Sequence, residues 1–229
     1  MTDIFHEIEE DLRRDRFQRL WSRFGIYFIL LVVAIIAGAG AWSGYRWWSQ
    51  QQAQASGARF EAASQLAEEG KPAEAEAAFA AIIANGTTGY RVLARFRAAG
   101  ELSLSDKPGG AAAFDALAAD GTLSTLTRDI ARVRAALLLV DTAPLADIQT
   151  RMQTLADSQS ALRHSAREII ALAQVRAGEL AAANKTATSI MDDPEVPAGV
   201  RNRADLVRTL TAASAPAPSA PAAAGAATQ

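Results

Sequence analysis

The side chains able to do chemistry are few and far apart. The 229 residues contain two histidines, His6 and His164, and no cysteine. A thiolate nucleophile, a disulfide framework and a cysteine metal site are therefore excluded. A triad or a multi-histidine metal site would have to be completed around His164 with carboxylates scattered along the chain, and His164 itself reads as a helix-surface residue. Gly70-Lys71-Pro72 lacks the preceding spaced glycine and the following Ser or Thr that a phosphate loop requires. Glu68, Glu69, Glu74 and Glu76 crowd together as catalytic acids can, but they flank a turn and read as a solvated face. Asn85-Gly86-Thr87 and Asn184-Lys185-Thr186 satisfy the glycosylation pattern; the first ends a helix and the second sits inside one. No catalytic, cofactor-binding or metal residue is assigned, and the chain reads as a non-enzyme. With 23 basic against 25 acidic residues, no basic surplus remains for nucleic acid.

The elements that carry these residues are ordered by one stretch, FGIYFILLVVAIIAGAGAWSGY, residues 24–45, which runs 22 residues without a charge between Arg23 and Arg46. As a helix it spans about 33 Å, which matches a bilayer core of roughly 30 Å. Arg13, Arg14, Arg16, Arg19 and Arg23 precede it, whereas Arg46 and Arg59 alone follow within about fifteen residues, so the positive-inside rule keeps the N-terminus cytoplasmic. Trp21, Phe24 and Tyr27 at one end, and Trp42, Tyr45, Trp47 and Trp48 at the other, suit the two headgroup layers. Ala37-Gly38-Ala39 and Ala39-Gly40-Ala41 resemble signal-peptidase sites, but the charged segment and the apolar run are both long for a cleaved signal; an uncleaved anchor fits better. Gly40 and Gly44 form a GxxxG through which two membrane helices, and hence two copies of the chain, can pair.

The chain thus divides into a cytoplasmic head (1–23), a membrane helix (24–45), a polar spacer or helix extension (46–57), a domain (58–212) and an Ala/Pro tail (213–229) expected to be disordered. In the head, Ile4, Phe5, Ile8 and Leu12 form one stripe, and Phe17, Leu20, Trp21 and Phe24 lie roughly opposite, which predicts a break or change of partner near residues 13–15. The domain is Ala-rich, shows no sustained strand alternation and carries turn signals every 12 to 20 residues, which makes the fold all-α. Helices are expected over 54–69, 72–84, 88–104, 109–119, 124–141, 144–157, 160–177, 179–192 and 198–212, the last acting as a cap.

A period is also legible. Gly70 is followed by Ala75, Phe79 and Ile82 at offsets of 5, 9 and 12, and Gly178 by Ala183, Ala187 and Ile190 at the same offsets, 108 residues later. Three intervals of 36 fill that gap, near the 34-residue tetratricopeptide period. The physical content is a helical hairpin: Gly closes the first helix, a small residue admits close approach, and a larger apolar residue fills the gap to the next hairpin. Spaced at 36, the central frames are degenerate, with Phe114 one residue early and Asp147 at the expected small position. An α-solenoid of stacked hairpins behind one N-terminal transmembrane helix follows.

The charged head DIFHEIEEDLRRDRFQRLWSRFG, the anchor ending GAGAWSGYRWW and the repeat domain together resemble the YfgM-like family of bacterial inner-membrane proteins over residues 2 to about 212. That resemblance implies a single-pass inner-membrane protein with a periplasmic domain, ancillary to the Sec translocon. It implies as partners the translocon, periplasmic chaperones and unfolded exported proteins. It supplies no catalytic residues. The residues alone reach a membrane-anchored extracytoplasmic binding protein, and leave open a structural adaptor in an envelope complex or a regulator acting through the head.

Overall fold

The computed structural model describes the backbone of residues 3–214 and the side chains of residues 21–213. Among these the chain is all-helical: α1 (Asp3–Glu68), α2 (Pro72–Asn85), α3 (Thr88–Ser105), α4 (Lys107–Ala119), α5 (Thr125–Leu139), α6 (Leu145–Ala156), α7 (Arg163–Arg176), α8 (Leu180–Met191) and α9 (Ala198–Leu210), then a 3-10 turn at Ala212–Ser214. Two compact units are present, Met1–Ala58 and Arg59–Gln229. The head's apolar stripe and His6 lie outside the described side chains, and the tail from residue 215 onward lies outside the described residues.

The head, the apolar run and the first helix of the domain are not separate elements; all belong to α1. The break expected at residues 13–15 is absent, and residues 46–57 are helical. The reason is local: no proline occurs before Pro72, and the Ala, Gln, Leu and Arg that fill these stretches are good helix formers. Within the first unit, the apolar side chains point outward. Ile36 is 67% and Trp42 66% exposed, whereas the core helix of a soluble protein would bury them. Among the described residues this is the one helix long and apolar enough to cross a membrane. Gly40 and Gly44 have no neighbour within 4 Å of where a Cβ would sit.

The second unit is built from four hairpins and a cap. The end of α1 pairs with α2, α3 with α4, α5 with α6 and α7 with α8, while α9 covers the last pair. The first and fourth hairpins turn identically. Gly70 and Gly178 are the two described glycines with positive φ, 73° and 79°. Around each, a pair of backbone bonds closes the preceding helix: Gly70 N–H to Ala67 O and Lys71 N–H to Leu66 O, and Gly178 N–H to Val175 O and Glu179 N–H to Gln174 O. This is the left-handed helix stop that only glycine adopts without steric cost.

The second helices share one buried pattern. Ala75, Phe79 and Ile82 in α2 are matched by Gly110, Phe114 and Leu117 in α4, by Ile148, Met152 and Leu155 in α6, and by Ala183, Ala187 and Ile190 in α8. From Ala75 to Gly110, Ile148 and Ala183 the steps are 35, 38 and 35 residues, not a uniform 36. Phe114 is therefore in frame and Asp147, on the exposed side, is not a packing position. The long step contains two five-residue connections, 120–124 and 140–144. At Gly110 the backbones of α3 and α4 approach closely: a Cβ there would lie 2.7 Å from Ser103 Cα and 2.9 Å from its nitrogen.

Candidate protein-binding surface

The repeat-frame residues face inward. Ala75, Phe79, Ala183, Ala187 and Ile190 have no exposed surface and Ile82 almost none, so they set the spacing of the helices and cannot themselves touch a partner. Contact must come from what lies between and outside them.

Two clefts dominate the second unit. One, about 370 Å³, is walled by α2 and α4 and floored by α3. Ile83, Leu102, Ala113 and Ala116 make its surface apolar over the buried Phe79 and Leu117, and Glu76, Arg95 and Glu101 stand among its lining. Arg95 is neutralised by Asp120 at 2.6 Å. Hydrogen bonds from Thr122 and from Arg95 hold the Asp120 carboxyl down at about 2, so that pair stays ionised in any ordinary medium. The other cleft, about 740 Å³, opens between the start of α5 and the end of α6. Three of its hydroxyls are already donating: Thr150 to Ala146 O, Ser158 to Leu155 O, and Ser160 to the buried Asp129, which also receives Arg132. Arg151, on its wall, bonds both carboxylate oxygens of Asp115 in the preceding hairpin at 2.7 Å. The larger cleft thus has several of its polar groups paired within the fold, and the smaller one, the more apolar of the two, is the better receptor for apolar side chains.

The first helices offer a second apolar feature. Leu137 in α5 and Leu172 in α7 are exposed, and each lies 11 residues before the small or apolar residue that opens its hairpin's buried pattern, Ile148 and Ala183. They therefore occupy the same position on successive hairpins.

The residues singled out by type are placed by the structure as follows. His164 is not on the helix surface: it is 2% exposed, with neither ring nitrogen hydrogen-bonded and Nε2 3.5 Å from Asp193 Oδ2. Burial, then the neighbouring Arg163 charge, push its pKa below the usual imidazole value. Its helix position misled because the loop after α8 folds over the start of α7, tied there by Arg163 to Asp193 and Glu195 and by Arg201 to the carbonyls of Met191 and Asp193. Asn184 is buried and donates to Arg208 O and Thr211 Oγ1 at 3.0 Å, so it fastens α8 to the end of α9. Glu69 is exposed and pairs with Lys71 at 2.8 Å, and Glu68, Glu74 and Glu76 are exposed beside it. Sequence reasoning missed Gly110 and Ile148 as frame positions. It also missed Arg203, which holds Glu168 by both oxygens and ties α9 to α7.

Comparison with known proteins agrees with this architecture. Residues 18–188 match the model of a tetratricopeptide repeat-like domain. Curated proteins and solved structures give no significant match. Domains of this kind are typically non-catalytic and interact with proteins. With four hairpins sharing one buried pattern, and a family match over most of its length, the chain belongs to the tetratricopeptide repeat-like domain family.

Proposed function

We propose that this protein is a membrane-anchored, periplasmic protein-binding module of the YfgM-like kind, ancillary to the Sec translocon, which assists periplasmic chaperones with newly exported proteins. The observation that carries this reading is the outward-facing apolar stretch of α1 in a chain whose other compact unit is a tetratricopeptide repeat-like array. Residues 24–45 anchor the chain in the inner membrane, residues 1–23 stay in the cytoplasm, and residues 58–212 work on the far side. Tethering raises the local concentration of binding surface at the exit, so weak intrinsic affinity suffices. Exposed Leu137 and Leu172 and the apolar cleft beside α3 suit the apolar segments of unfolded chains. Gly40 and Gly44 offer a face for pairing two copies within the membrane.

Crosslinking in native membranes tests it. The intact protein is expected to crosslink to translocon subunits, and replacing residues 24–45 with an unrelated membrane helix is expected to weaken those crosslinks. Capture of one folded partner by residues 50–212, with no translocon crosslinks from the intact protein, would overturn this reading in favour of a structural adaptor.

A further inference from the structure

Resting on the reading of the array as a protein-binding module, we infer that the cleft between α2, α3 and α4 selects apolar polypeptide segments flanked by lysine or arginine. Its floor and walls are apolar, with Leu102 and Ala116 exposed at its surface. At about 370 Å³ it falls within the range of natural ligand pockets, roughly 300–1,000 Å³. It admits large side chains from an extended segment, not a folded surface.

The charges around it set the flanks. Of the three charged residues in its lining, Arg95 is taken by Asp120. Glu101 is paired with Arg97, whose Nε lies 3.0 Å from its carboxylate. Glu76 is exposed and meets no cation within ion-pair distance among the described residues. An apolar cleft with the unpaired Glu76 carboxylate on its rim favours a segment whose apolar centre adjoins a positive charge and disfavours one with an acidic flank. Recognition at this cleft uses the second helices of two successive hairpins and α3 between them, and involves neither Leu137 nor Leu172.

The test uses the full-length protein in lipid nanodiscs, at low salt, with two fluorescent peptides that share a Leu-Phe-Leu centre and differ in lysine or glutamate flanks. The lysine-flanked peptide is expected to bind more tightly. Glu76→Lys, an exposed change that leaves the fold intact, is expected to weaken it roughly fivefold and to strengthen the glutamate-flanked peptide. Ala116→Trp, which fills the cleft, is expected to weaken both, with helix content checked by circular dichroism. Unchanged affinities in Glu76→Lys overturn the charge selection, and unchanged affinities in Ala116→Trp overturn the cleft. Absence of peptide binding while translocon crosslinks persist overturns this inference and leaves the module reading standing.

Discussion

Phe79→Ala is expected to cost the array about 3–5 kcal/mol, the largest loss of any single truncation here. Phe79 has no exposed surface and packs with Ala63, Ile82 and Ala94, and its ring lies 5.8 Å from that of Phe60. Removing it takes away the filler between the first hairpin and α3, and also the aromatic partner of Phe60, which itself meets Tyr90 at 6.0 Å. At about 2–4 °C per kcal/mol for a domain of this size, the melting midpoint of residues 50–212 should fall by roughly 6–20 °C. A drop below about 2 °C would mean the ring is not in the core.

Gly110→Ala should cost about 1–3 kcal/mol although it adds one methyl group. The new Cβ would sit 2.5 Å from Ser103 Cβ and 2.7 Å from Ser103 Cα. Part of that obstacle is backbone, so α3 and α4 must separate instead of a side chain rotating away. Gly121→Ala, where nothing lies within 4 Å, is the control and should change stability by less than about 0.5 kcal/mol. Equal effects at the two sites, read by the same melting experiment, would remove the close approach at Gly110 from the account.

These two positions also show what the sequence could and could not carry. The helices of the array were legible because each buries one face of apolar residues spaced at three or four, and their ends are marked by Gly or Pro; α2 and α3 start where Pro72 and the Thr87-Thr88 pair lead one to expect. The regularity of the repeat was not, because one step is 38 residues and the other two 35, so no single period brings all four hairpins into register. Ile148, Met152 and Leu155 were visible as a stripe, but not as the partners of Ala75, Phe79 and Ile82, until the middle step was measured in space. Gly110 was hidden because a uniform step of 36 puts the close-approach position one residue later, at Ala111. His164 was misplaced because its burial comes from a loop about thirty residues later in the chain, folded back by Arg163 and Arg201. No local periodicity records such a contact.

In the proposed topology α1 crosses the membrane with its N-terminus inside and presents the array outside. Single cysteines at Ser22 and Ser189, both exposed, can be introduced into a chain that has no other and treated with a membrane-impermeant thiol reagent in intact spheroplasts. The account predicts labelling of Ser189→Cys alone, and of both after lysis. Labelling of Ser22→Cys in intact spheroplasts, or a mature N-terminus near Trp42, would contradict it.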